Sequence, residues 1–173
     1  MRRWIGLLAV LCLTTLVSCG DDDKKSTTGP GDQNQEHDGT ITAAITGDFQ
    51  LDFTCADAYG LKVEPQEGLP GSMHIQGDVT LGSDQYMIDI QVYHDPATGT
   101  FDLTFPPVDG VGSIIKNSRI HYSETGSVTI SQVSASRMEG TFSFHAFSMV
   151  SPGQRVDVDV MEGTFDVPVI LAP

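Results

Sequence analysis

The sequence predicts an all-β domain over residues 40–173, an antiparallel β-sandwich or flattened barrel of roughly eight to ten strands with no significant helix. Three observations carry this reading. Apolar residues recur with period two from residue 40 onward, the mark of strands with one buried face. Turn residues separate the runs at close spacing. No segment combines a helical period with capping residues.

The strands can be read in order. Ile41–Thr46 and Phe49–Thr54 flank Gly47-Asp48, a pair suited to a tight hairpin. From Gln85 to Tyr93, Tyr86, Ile88, Ile90 and Val92 share one face, opposite Met87, Asp89, Gln91 and Tyr93. Asp95-Pro96-Ala97-Thr98-Gly99 then turns the chain. Phe101, Leu103 and Phe105 alternate with Asp102 and Thr104, and Val128 and Ile130 follow Thr125-Gly126. Met138, Gly140, Phe142, Phe144 and Ala146 form one face against Glu139, Thr141, Ser143 and His145. After Ser151-Pro152-Gly153-Gln154 come Val156, Val158 and Val160, then Phe165, Val167 and Val169. Because the alternate faces are polar, the strands cover one shared core. Met138-Glu139-Gly140-Thr141-Phe142 and Met161-Glu162-Gly163-Thr164-Phe165 look alike. Two copies are too few for a solenoid. They read as neighbouring strands in which glycine permits a bulge or a close approach.

The first forty residues read as an address. Met1-Arg2-Arg3 is a short positive start, and Trp4 to Val17 is an uncharged, mostly apolar run. A membrane-spanning helix needs about 20 such residues, so residues 1–18 read as a secretory signal peptide. Leu16-Val17-Ser18-Cys19 resembles the lipobox of bacterial lipoproteins, in which a small residue precedes the modified cysteine. That resemblance implies cleavage before Cys19 and lipidation of Cys19. Two or more acyl chains anchor a protein stably without a transmembrane helix. In the Gram-negative sorting pattern an aspartate after the cysteine favours the inner membrane; here that residue is Gly20, which implies the outer membrane. Asp21-Asp22-Asp23 resembles the surface-export signal of some lipoproteins and reads equally as a solvated linker. Residues 19–39 are polar throughout and bury too little to order themselves. As a flexible coil they reach roughly 25 Å on average.

A second resemblance lies in the last third of the chain. Gly126 to Ile130, Arg137 to Phe144 and Val156 to Asp166 are similar to small Gram-negative lipoproteins with a β-rich domain of unknown function. There a Gly-Thr-Phe strand packs beside a final one. The likeness implies a fold and assigns no functional residue.

Composition excludes some partners. The chain carries 23 Asp and Glu against 9 Lys and Arg, a formal charge of −14. Nucleic-acid binding rests on phosphate neutralisation by basic residues, so no nucleic acid is expected. Of three cysteines, Cys12 leaves with the leader and Cys19 takes lipid, so Cys55 has no partner for a disulfide. Its expected place is the core, as a small apolar residue.

No sequence motif names a reaction. The Gly-x-Ser-x-Gly elbow is absent, as are phosphate loops, dinucleotide fingerprints, His-Glu-x-x-His and paired cysteines. No cofactor, no metal and no catalytic residue is therefore expected, and the protein is not expected to be an enzyme. The sharper alternatives concern His74, His94, His121, His145 and two acids. His121 and His145 fall on strands and would meet across a sheet in one register; their plain reading is polar-face histidine. Asp157 and Asp159 share a face, but calcium wants six to eight oxygens. Asp95, Asp102 and Asp109 surround the apolar loop Phe105–Val111, which caps an end of the domain or docks a partner.

Three functions remain open. The first is a non-catalytic envelope lipoprotein, tethered to the outer membrane on its periplasmic or surface side, that binds a protein, glycan or other ligand. The second is a lipocalin-like carrier with an apolar ligand inside a closed barrel. The third is a small carboxylate-based hydrolase, which needs two converging acids.

Overall fold

The computed structural model describes residues 37–171. The signal peptide, Cys19 and most of the polar linker lie outside them. Among the described residues there is no helix. Nine strands follow in order: β1 Gly39–Gly47, β2 Leu51–Val63, β3 Ser72–Leu81, β4 Asp84–Val92, β5 Gly99–Asp102, β6 Gly110–Lys116, β7 Arg119–Val133, β8 Arg137–Ser151 and β9 Gln154–Leu171. They form one sheet in the order β5-β7-β6-β4-β3-β2-β1-β9-β8, and pairing of β7 with β8 closes it. Eight strands make an antiparallel barrel, and the ninth, β5, shares an edge of β7 with β6. The expected all-β architecture is thus a closed barrel, with the short β5 added at its seam.

The alternation seen in the sequence becomes the inside and outside of this wall. Tyr86, Ile88, Ile90 and Val92 face inward, as do Met138, Gly140, Phe142, Phe144 and Ala146. Ile41, Ile45, Phe53, Met73 and Ile75 join them from β1 to β3. Burying one such side chain fully contributes about 1.5–3 kcal/mol. Cys55 lies in the same core, 3% exposed, and burial raises its thiol pKa.

The two Gly-Thr-Phe segments are direct partners. Gly140 faces Phe165, Thr141 faces Thr164 and Phe142 faces Gly163. A Cβ on Gly140 would lie 2.5 Å from the Phe165 ring, and one on Gly163 would lie 2.5 Å from the Phe142 ring. Each glycine therefore makes room for the other segment's phenylalanine. The expected bulge follows directly: the register slips between Phe142 and Phe144, and Glu162 opposite takes φ +52°.

Three features depart from the sequence reading. Gly110 and Val111 belong to β6 rather than to a loop. Only Leu103 of the preceding segment turns fully inward; Phe105 and Val108 are exposed, and Phe105 stacks on the outer ring of Tyr122 at 4.7 Å. The reason is a split in the wall. Strands β6 and β7 pair only from Ser113/Tyr122 to Lys116/Arg119. Below that, Ser123 Oγ accepts the Gly112 N–H at 2.9 Å, and β5 takes over the β7 edge. Leu103 packs against the wall there, within 3.4 Å of where side chains on Gly110 and Gly112 would begin.

The third departure concerns His121. The register of β7 slips between Ser123 and Thr125, so inward residues change from odd (His121, Ser123) to even (Val128, Ile130). A one-residue slip exchanges the faces of a strand. His121 is therefore inside the barrel and His145 outside it. They do not meet across the sheet.

The strand order also defines two ends. Chain turns at 48–50, 82–83, 117–118 and 152–153 sit at one end. The first residue of β1, Gly39, and the last of β9, Leu171, sit at the other, where β2 and β9 pair in parallel past the start of β1.

Candidate functional site

The candidate site is the barrel mouth at the end away from Gly39. It is built by the hairpin Lys116-Asn117-Ser118-Arg119. Asn117 and Ser118 have φ of 47° and 71°, the two positive values of a type I′ hairpin turn. The turn places Lys116 directly opposite Arg119, and Ile114 directly opposite His121. Residues two apart on a strand share a face, so Lys116 and Arg119 rise from the same inner face as Ile114 and His121. Asn117 is fixed by its side chain: Oδ1 accepts the Gln85 N–H at 2.8 Å and Nδ2 donates to Asp84 at 2.7 Å.

Asp48, Lys116, Asn117, Arg119 and His121 enclose a cleft of about 350 Å³. Phe49 meets the His121 ring edge-on at 5.9 Å and packs beside Tyr86 at 5.7 Å. Lys116 Nζ sits 5.0 Å over Phe49 and 5.5 Å over Tyr86, a cation–π arrangement. Its ion pair with Asp84 is long, at 3.5 Å. Arg119 reaches Asp48 at 3.4 Å. Both cations thus keep hydrogen-bonding capacity turned to the cleft.

His121 is 0% exposed. Nδ1 lies 3.4 Å from the Ile114 carbonyl, the contact that assigns the proton to Nδ1 and leaves a lone pair on Nε2. Burial holds the ring's pKa below its ordinary 6.5. Nε2 has no hydrogen-bonding partner among the described residues. Asp48 Oδ2, itself an acceptor, lies 3.7 Å from it. Arg119 donates to that oxygen, and Nε2 alone is left without a donor.

The other residues singled out from the sequence find ordinary partners. His74 bonds Asp89 on the adjacent strand, and His94 bonds Asp109 at 3.0 Å. Asp95 accepts the Gly71 N–H at 2.7 Å, and Asp102 is exposed on β5. These acids do not converge. On the outer wall, His145 Nδ1 lies 2.8 Å from Asp159 and Nε2 lies 3.3 Å from Asp157. Arg155 grips Glu124 through two nitrogens, at 3.0 and 2.5 Å, and Asp157 at 2.6 Å. These contacts raise the His145 pKa, chiefly through Asp159, and lower those of Glu124 and Asp157, chiefly through Arg155. Asp157 is thus engaged by Arg155 and His145, and Asp159 by His145. Among the described residues no cluster of His, Cys, Asp or Glu has the arrangement of a metal site.

One regular feature was not visible before the strands were paired. Thr100, Thr129, Thr141, Thr164, Thr42 and Thr54 form a row across six neighbouring strands of the outer wall. Thr42 bonds Thr164 at 2.8 Å and Thr100 bonds Thr129 at 2.9 Å. Such cross-strand pairs stabilise a sheet, and that role accounts for the row.

The mouth escaped the sequence reading for two reasons. Asn117-Ser118 lacks the glycine that advertises a hairpin turn, and the inward course of His121 depends on the slip near Glu124. The one available signal was Lys116-Asn117-Ser118-Arg119 itself, a basic pair across a two-residue turn in a strongly acidic chain. No protein family, no curated protein and no solved structure matches this chain.

Proposed function

We propose that this protein is an outer-membrane lipoprotein, held through lipid on Cys19, whose barrel binds a ligand at the end opposite the start of β1 and does so without catalysis. The observation that carries the binding reading is the unpartnered, fully buried Nε2 of His121 at the floor of a polar cleft. Buried polar atoms in folded proteins are almost always hydrogen-bonded, so a group from outside the chain completes this one. The lipobox-like Leu16-Val17-Ser18-Cys19 supports the anchor. The strand order supports the geometry: β1 starts at one end and the mouth opens at the other. The binding reading is preferred to a carrier because large side chains such as Phe53, Met73, Phe142 and Phe144 occupy the barrel interior.

The test uses the full-length protein extracted gently from envelopes of cells fed labelled palmitate. Native mass spectrometry is expected to show an acylated protein with a non-covalent adduct of discrete mass. Replacing Cys19 by Ser removes the label, and Asp48→Asn removes the adduct. An unlabelled wild type overturns the anchor. A wild type with no adduct, or one unchanged by Asp48→Asn, overturns binding at the mouth.

A further inference from the structure

Resting on the reading that the mouth binds a ligand, we infer that this ligand is a neutral saccharide, either a monosaccharide or the end of a glycan. The inference starts from the polar groups left open. His121 Nε2 is unpartnered, and Asp48 Oδ2, 3.7 Å from it, accepts from Arg119 at 3.4 Å and keeps further lone pairs. Lys116 and Arg119 are donors, and each is held to a carboxylate only by a long contact of 3.5 or 3.4 Å. Lysine offers three N–H donors and arginine five. Acceptors and donors therefore share one cleft.

A hydroxyl group both donates and accepts, so neighbouring hydroxyls suit this mixture. One donates to His121 Nε2 and accepts from Arg119. Its neighbour donates to Asp48 and accepts from Lys116. A ligand with acceptors alone would leave Nε2 without a donor, and a ligand with donors alone would leave the two cations unused. A simple anion is disfavoured on charge as well. Asp48 and Asp84 already match Arg119 and Lys116, and the whole chain carries −14. The cleft of about 350 Å³ lies at the small end of ligand sites, which run from about 300 to 1,000 Å³.

The test titrates the full-length protein in detergent with methyl glycosides of glucose, galactose, mannose and N-acetylglucosamine, and separately with inorganic phosphate and acetate. The readout is the ¹⁵N signal of the His121 ring, which moves when Nε2 accepts a hydrogen bond. The expected result is a saturable shift with at least one glycoside and none with either anion. In Asp48→Asn the amide donates to Nε2 from within the protein and an acceptor is lost. Affinity is expected to fall about tenfold or more. Arg119→Met, at an exposed rim position, removes one donor and is expected to weaken binding. A shift with the anions alone overturns the saccharide assignment and leaves a ligand-binding mouth. No shift with any probe, with the ring signal of a water-bonded imidazole, overturns both. An unchanged affinity in Asp48→Asn overturns the assignment of these residues.

Discussion

Strands β7 and β8 each carry one histidine on the part of the strand nearer the mouth, and the wall of the barrel lies between them. His121 points inward, with a single carbonyl partner and a pKa held down by burial. His145 points outward into a net of Glu124, Asp157, Asp159 and Arg155, with a pKa raised by those acids. The residue type is the same and the strands are adjacent. What differs is the supply of partners. The outer histidine belongs to a network complete within the chain, so it needs nothing else. The inner one keeps an Nε2 with no hydrogen-bonding partner among the described residues. An incomplete buried polar group is costly to the fold, and it is on this cost that the proposed binding at the mouth rests.

The comparison rests on the inner side of the wall being apolar apart from this mouth and Ser123, whose Oγ accepts the Gly112 N–H. The largest expected effect tests that ground. Leu103→Ala removes a fully buried side chain where β6 and β7 diverge. It is expected to cost about 2–5 kcal/mol, read as a lower midpoint in urea melts. A change under about 0.5 kcal/mol, typical of surface positions, would mean that β5 and Leu103 do not seal the split.

The next effect has the opposite sign. His121→Leu replaces a buried polar ring with an apolar side chain and removes the orphaned Nε2. Unpaired buried polar groups cost about 1–3 kcal/mol, so the variant is expected to gain stability on that order while losing the ligand. The equivalent change outside, His145→Leu, breaks satisfied contacts and is expected to lose stability. If both changes shift the melt in the same direction, the distinction between an open and a completed histidine fails.

How much of this was legible in the sequence follows from the same wall. Tyr86-Ile88-Ile90-Val92 and Met138 through Ala146 announced their faces because an unbroken strand keeps period two. The Gly-Thr-Phe pairing was legible because the glycines and phenylalanines had to answer each other. The histidines were not. Their sides depend on a one-residue slip near Glu124, which local periodicity does not record. Closure of the barrel was likewise hidden, since the pairings of β1 with β9 and β7 with β8 are set by the whole chain. The threonine row shows the limit most plainly: six scattered residues become one feature only after six strands are aligned.

The smallest effect is also the most direct test of the two histidines, because their pH dependences oppose each other. Folding holds His121 neutral, with a pKa below 6.5, while the unfolded chain takes up a proton near that value. The fold then binds fewer protons than the unfolded chain, so its stability is complete above pH 6.5 and is lost as pH falls toward the folded pKa. His145 has a folded pKa above 6.5. Its contribution is complete below pH 6.5 and is lost as pH rises through that folded value. Melts between about pH 5 and 8, the range in which histidines titrate, are therefore expected to show shallow losses toward both ends. His121→Leu should flatten the acid side alone, and His145→Gln the alkaline side alone. If His121→Leu leaves the acid side unchanged, the inner ring is not held neutral, and its lone pair is no longer available to a ligand. If His145→Gln leaves the alkaline side unchanged, the outer network does not favour the charged ring, and the two sides of the wall differ less than their contacts imply.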